Sequence, residues 1–298
     1  MTTYNPRIKF YCRSFNLELY MLSSRLYREA GFPCVRLTDQ TADGYFFSML
    51  NDQECDIAIN VDEDCFIAHL DAVLALARQV WDEGWINAGC SDAAKGCPRG
   101  GNAMVTNPFF NIFNLKLIRH HWNERGTVDK IRNFDYAAAR PQLERDFREA
   151  CPDLTQIRED LRLNAIGVEP YYNFFFWLMT EFPGRTLYLD SRRHKDGIST
   201  VLLDAAGRHL CSHSWFARQF RPSWLTHLFE GNDLKEVNHT ERIERLIQEV
   251  YAVRGMTVPE LSLLQRVQCR LDEVVRWSVK VPQRIANWPN KLRKKWKV

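Results

Sequence analysis

The run Asp56-Ile57-Ala58-Ile59-Asn60-Val61-Asp62-Glu63-Asp64 carries an apolar, strand-like stretch directly into three consecutive carboxylates. In extended backbone, residues two apart point the same way, so Asp62 and Asp64 are expected to project together and Glu63 to the other side. Two like charges held close are costly unless something positive lies between them. A divalent cation is the simplest neutraliser. Hard oxygen ligands suit Mg2+ or Mn2+, ions that keep coordination positions open for substrate phosphates. The competing reading is a polar turn after a strand; the position at a strand's carboxyl end favours the metal. Two further carboxylates could move protons. Glu169, ahead of Pro170-Tyr171-Tyr172, could accept the proton of an attacking hydroxyl, or simply favour a helix start through the macrodipole. Asp92, in Gly89-Cys90-Ser91-Asp92, is the second candidate catalytic carboxylate.

The elements that must position these groups alternate. Residues 8–12 read as a strand and 17–30 as a helix closed by Gly31 and Pro33. Then come a strand over 34–37, a short helix over 46–50, a strand over 56–61, a helix over 69–81 and a strand over 85–88. This order is α/β and predicts a parallel, doubly wound sheet, whose ligands bind at the carboxyl ends of its strands. Residues 91–102 read as a loop, and 107–113 as an extended aromatic stretch in which Pro108 marks an edge or a strand start. Residues 136–151 read as an exposed charged helix, and 171–182 as an apolar helix opened by Glu169-Pro170. The aromatic run from Phe174 to Trp177 is expected in the core rather than under a sugar. Strands are expected over 187–190, 199–203 and 207–211, and an amphipathic helix over 240–253 with Thr240 as N-cap and Glu244 closing a capping box.

Composition narrows the function classes. With 298 residues, 45% apolar and 26% charged, the chain is neither disordered, fibrous nor a coiled coil. Its length suits about two domains or one large one, and needs no disulfide staple. Nine irregularly spaced cysteines without a C-x-x-C pair indicate reduced thiols in a cytosolic setting; Cys90 and Cys97, six residues between them, are a poor zinc pattern. The first seven residues carry no apolar core, so no secretory signal is expected. Phe174 to Met179, the longest apolar stretch, is far short of the roughly 20 residues that span a bilayer. The net charge of +3 hides an asymmetry. Residues 280–298 hold seven basic and no acidic side chains, leaving 33 basic against 37 acidic in the body. With Trp288 and Trp296, after a helical-looking segment over 261–281, this end reads either as a peripheral foot on anionic lipid or as a solvated terminus. An acidic body argues against nucleic acid as a partner.

The strand followed by Asp-x-Asp, on a short Rossmann-like half, resembles glycosyltransferases of the GT-A fold, of the bacterial surface-polysaccharide type. The resemblance covers roughly residues 5–255 and rests on two short motifs, the second being Ser212-His213-Ser214-Trp215-Phe216-Ala217-Arg218. It implies that Asp62 and Asp64 hold a Mn2+ or Mg2+ ion that bridges the diphosphate of a nucleotide-sugar donor, with His213, after its strand, as a third ligand. It also implies nucleotide contacts from Tyr11 and Arg13 after the first strand, Thr38 and Asp39 after the second, and Asp62 and Glu63 at the dyad. The dyad falls about 50 residues after the first strand, nearer than in many relatives, so the nucleotide-binding half would be compact. The implied organisation is a glycosyltransferase domain over 1–255 and a helical, basic extension over 256–298. The implied reaction moves a sugar from a UDP-sugar to a hydroxyl of a glycan acceptor, lipid-linked in lipopolysaccharide or capsule assembly at the inner face of the cytoplasmic membrane. Two alternatives stay open: a nucleotidyltransferase or other phosphoryl-transfer enzyme using the same dyad, though no Walker-type phosphate loop is present, and a membrane-associated binding protein without catalysis.

Overall fold

A computed structural model describes residues 5–38, 44–98, 100–151, 157, 169, 171–225 and 238–278. In chain order the elements are β1 (Ile8–Arg13), α1 (Leu17–Arg28), β2 (Cys34–Leu37), α2 (Gly44–Asn51), β3 (Ile57–Asp62), β4 (Cys65–Ile67), α3 (Leu70–Asp82), β5 (Asn87–Gly89) and β6 (Phe110–Asn114). There follow α4 (Leu115–Ile118), α5 (Glu124–Arg132), α6 (Tyr136–Ala150), α7 (Tyr172–Glu181), β7 (Thr186–Tyr188), β8 (Ser191–Arg193), β9 (Ser199–Leu203), β10 (His209–Ser214) and α8 (Thr240–Val253). A further helix covers 263–278.

The α/β reading holds, but the sheet is mixed rather than parallel. Its order is β2-β1-β3-β6-β5-β7. Strand β1 runs parallel to β2 and β3, β6 is antiparallel to both β3 and β5, and β5 runs parallel to β7. The carboxyl ends of β1, β3, β5 and β7 and the start of β6 therefore share one edge. Strand β3 is buried on both faces, as a run that is apolar but for Asn60 requires. Ile57, Ile59 and Val61 pack with Phe10 and the inner face of α3 (Val73, Leu76, Val80), whereas Ala58 and Tyr11 face the cluster built by α2 and α7. The aromatic run of α7 is buried in that second cluster, as expected.

A second, antiparallel sheet goes beyond what the element pattern predicts. It has the order β4-β10-β9-β8. Strand β4 is only three residues long, too short to carry a period of its own. Two other expectations need correction. The strand expected over 207–211 lies at His209–Ser214, so His213 sits inside β10, paired with Cys65, rather than after it. Thr240 is the first helical residue of α8 and its hydroxyl accepts the Arg221 backbone N–H, while Glu244 pairs with Arg221, so no capping box forms. No helix among the described residues is long and apolar enough to cross a membrane. All nine cysteines are free thiols.

The 263–278 helix packs beside α1 and β2. Arg36 of β2 forms a two-point pair with Asp272, at 2.7 and 3.0 Å. Between this helix, the amino end of α1 and the segment after β10 lies a cavity of about 610 Å³.

Candidate active site

The chain leaves the large sheet at Asp62 and enters the small one at Cys65, so Glu63 and Asp64 form the turn between two sheets. Each backbone in this turn is pinned by a different element. Asp62 N–H donates to the Phe109 carbonyl ahead of β6 (2.9 Å), Glu63 N–H to the Arg13 carbonyl of β1 (3.2 Å), and the Asp64 carbonyl accepts Ser214 N–H of β10 (2.9 Å). Asp62 and Asp64 do come together, through this turn rather than through strand alternation.

With His213 they form one cluster: a ligand atom from each of the three lies within 4.8 Å of the others, and all three are shielded from solvent or nearly so. His213 Nε2 stands 3.2 Å from Asp64 Oδ1, while its Nδ1 is buried without a hydrogen-bond partner among the described residues. The Phe109 ring stacks on the imidazole at 4.4 Å, and Trp215 meets it edge-on at 4.7 Å. The ring is thus oriented by packing, where many metal-binding histidines use a hydrogen bond. Two hard carboxylates and one imidazole, buried together and carrying excess negative charge, match the donor chemistry of Mn2+ or Mg2+. Burial pushes the Asp62 carboxyl up, and Asp64 adds to that; Arg13, pairing through two hydrogen bonds at 3.1 and 2.7 Å, opposes it.

Glu63 faces away from this pair. Its carboxylate accepts the backbone N–H groups of Phe15 and, at 3.0 Å, Asn16, which ties the β1–α1 connection to the turn. Burial, with the charge of Asp64, pushes its carboxyl to about 7. Glu63 also lines the 610 Å³ cavity, together with Phe15, Asn16, Arg218 and Trp277.

The nucleotide contacts expected around the first two strands fare unevenly. Arg13 is the last residue of β1 and reaches the cluster. Tyr11 lies within β1, is 2% exposed, and donates its hydroxyl to Asp52 at 2.6 Å, so its ring is core and offers no face to a base. Thr38 follows β2 half-buried, and Asp39 lies outside the described residues.

Asp92 and Glu169 are brought to the same sheet edge. Asp92 follows β5 and is buried; it accepts hydrogen bonds from the hydroxyls of Tyr172 (2.6 Å) and Tyr171 (3.4 Å) and from the Asn107 amide. Burial raises its pKa, the tyrosine and amide bonds pull it back, and the charge of nearby Glu169 raises it further. Gly101 closes over it. A Cβ there would stand 2.6 Å from the Asp92 carboxyl carbon and would overlap the Tyr172 hydroxyl. Glu169, half-buried, accepts Tyr172 N–H at its carbonyl (3.1 Å), just before α7.

Sequence reasoning missed the arginines of the cavity: Arg218, Arg221, Arg266, Arg270 and Arg276. A signal was present, since Arg266 and Arg270 are four apart on a helical segment and so share a face.

No protein-family model matches the chain, and no curated protein matches it. Solved structures similar to it include a glycosyltransferase involved in the glycosylation of the major capsid of PBCV-1, with 10% identity over 62% of this chain and 82% of that one, TM-score 0.38. The galactosyltransferase LgtC in complex with donor and acceptor sugar analogs is similar at 11% identity over 85% and 98%, TM-score 0.37. The mannosyltransferase PcManGT from Pyrobaculum calidifontis, in complex with GDP-Man and Mn2+, is similar at 9% identity over 93% and 87%, TM-score 0.35. Overlays this loose assign no chemistry.

Proposed function

We propose that the protein is a divalent-metal-dependent glycosyltransferase that moves a sugar from a nucleotide-diphosphate donor, UDP-sugar first among them, to a hydroxyl of a glycan acceptor. The observation that carries this reading is the convergence of Asp62, Asp64 and His213 where β3 leaves its sheet; Glu63, between the two aspartates in the chain, borders a separate arginine-lined cavity of ligand size. Asp62, Asp64 and His213 would hold the cation, which when bound supplies positive charge against the diphosphate as the glycosidic bond breaks. Arg218, exposed on the cavity rim, is placed to pair with phosphate oxygens. Glu169 is the better base: half-buried, it could take the acceptor hydroxyl's proton as that oxygen attacks the anomeric carbon and the diphosphate departs with the bonding electrons. Asp92, walled in by Tyr172, Asn107 and Gly101, would act by positioning α7 and the 100–102 loop.

The acceptor is proposed to be lipid-linked. Leu264, Val267, Leu271 and Val274 form a stripe at helical spacing along the 263–278 helix; all four are exposed, and Val267, Leu271 and Val274 also border the cavity. This stripe leads into the seven basic residues of 280–298, and together they suit an anionic lipid surface at the cytoplasmic face. Charging the part of this apolar face outside the cavity with Leu263→Glu and Leu264→Glu should abolish co-sedimentation with anionic vesicles.

Release of UDP from a panel of UDP-sugars, with and without Mn2+, tests the activity. Turnover that needs Mn2+ and falls at least about a hundredfold in Glu169→Gln is expected. Absence of both turnover and thermal stabilisation by any nucleotide sugar with Mn2+ would remove the proposal.

A further inference from the structure

Both oxygens of Asp62 are already engaged. Oδ1 accepts Arg13 Nε at 3.1 Å and Oδ2 accepts a terminal guanidinium nitrogen at 2.7 Å. The guanidinium also lies over the rings of Phe15 and Tyr45, 5.8 and 5.3 Å from their centroids. Arg13 therefore serves the cluster as an internal countercharge, neutralising one of two carboxylates that stand within 4.8 Å of each other.

A divalent ion entering between Asp62, Asp64 and His213 meets two obstacles. It must share Asp62 oxygens that each already accept an Arg13 N–H, and it places two positive charges beside a third. A nucleoside diphosphate arriving with the ion removes both. Its oxygens give the guanidinium new acceptors in the same fork geometry, and its negative charge screens cation from cation. We infer that Arg13 is a built-in competitor for the divalent cation, so that cation and nucleoside diphosphate bind as a linked pair, each tightening the other. Linkage makes the effect reciprocal. The inference rests on the metal reading proposed above and adds an order to it: the ion comes with the nucleotide, and the apo cluster stays closed by its own arginine.

The test is titration of the full chain with Mn2+ by calorimetry, with and without UDP, for the wild type, Arg13→Met, Arg13→Lys and Asp64→Asn. Wild type should bind Mn2+ about tenfold or more tightly when UDP is present. Arg13→Met should bind Mn2+ alone at least about tenfold more tightly than wild type, with most of the gain from UDP lost. Arg13→Lys keeps the charge but not the fork and should fall between; if the methionine variant does not fold, the lysine variant decides. A merely structural arginine would weaken Mn2+ binding on removal, so the sign of the change is diagnostic. Folded Arg13 variants that bind Mn2+ no tighter than wild type, while Asp64→Asn loses the ion, overturn this inference and leave the metal site standing. If Asp64→Asn binds Mn2+ like wild type, the metal reading falls, and this inference with it.

Discussion

Replacing Asp64 with Asn should move metal affinity and metal-free stability in opposite directions. In the absence of an ion, Asp62 and Asp64 are two carboxylates within 4.8 Å. At an effective dielectric of about 20 such a pair repels by about 3 kcal/mol. Arg13 on Asp62 and His213 on Asp64 offset part of this, and the His213 contact is weakened by the substitution. A net gain of about 1 kcal/mol remains, or about 2 °C in Tm for a chain of this length. For the ion the balance reverses. A carboxylate oxygen about 2.1 Å from a doubly charged cation is worth about 4 kcal/mol even at the dielectric of bulk water, which is roughly a thousandfold in Kd. Differential scanning fluorimetry of the metal-free protein and calorimetric Mn2+ titration with UDP measure the two quantities separately. A Kd for Mn2+ within threefold of wild type would show that Asp64 is not a ligand. A metal-free Tm lowered by several degrees would show instead that Asp64 and His213 are a structural ion pair, and the cluster would lose its claim to chemistry.

Two further outcomes follow from the structure. Gly101→Ala should destabilise the protein by about 2 kcal/mol in urea unfolding, because its methyl group has only the Asp92 carboxylate and the Tyr172 hydroxyl to move into; an unchanged midpoint would mean that the 100–102 loop does not pack on Asp92. His209 is held neutral, its pKa lowered from 6.5 to about 4 by burial first and then by the charges of His69 and Arg192. Because the folded value lies below the unfolded one, this stabilisation is complete above pH 6.5 and is lost as pH falls toward 4. With solvent screening allowed for, it amounts to about 2 kcal/mol. His209→Gln should flatten the dependence of unfolding free energy on pH across that window, and a slope equal to that of wild type would refute the assignment.

The parts of the site carried by local pattern were legible in the sequence, and those carried by pairing between distant strands were not. The apolar run into Asp62 and Asp64 announces both a buried strand and its charged end, because the two signals are contiguous. The direction of β6 is different. Residues 107–113 read as extended, but nothing in their order says that Phe110 pairs with Val61 against the direction of β3. Strand β4 was invisible for a related reason: Cys65-Phe66-Ile67 is defined by pairing with β10, some 140 residues later. Misplacing β10 by a few residues then put His213 beyond its strand. Tyr11 illustrates the opposite failure. Its place near a strand end suggests a ligand contact, yet it lies two residues inside β1 and is enclosed by the α2 and α7 cluster, while Arg13, on the same face but at the very end of the strand, escapes enclosure.

The seam between the sheets explains how so much charge is concentrated without undoing the fold. Consecutive acidic residues in a free turn would spread apart and hydrate. Here the three backbones are fixed by hydrogen bonds to Phe109 just ahead of β6, to Arg13 of β1 and to Ser214 of β10, and these elements share one buried core. The desolvation and repulsion at Asp62 and Asp64 are therefore borne by β1, β3, β6 and β10 together, and no single side-chain contact within the cluster is needed to hold its geometry. This is the arrangement a binding centre requires, since groups that must exchange partners when a ligand arrives cannot also be the ones that keep the chain in place. Arg13 fits that division. Its carbonyl belongs to the scaffold, pinning Glu63, while its guanidinium belongs to the centre and can change partners without disturbing the strand that carries it.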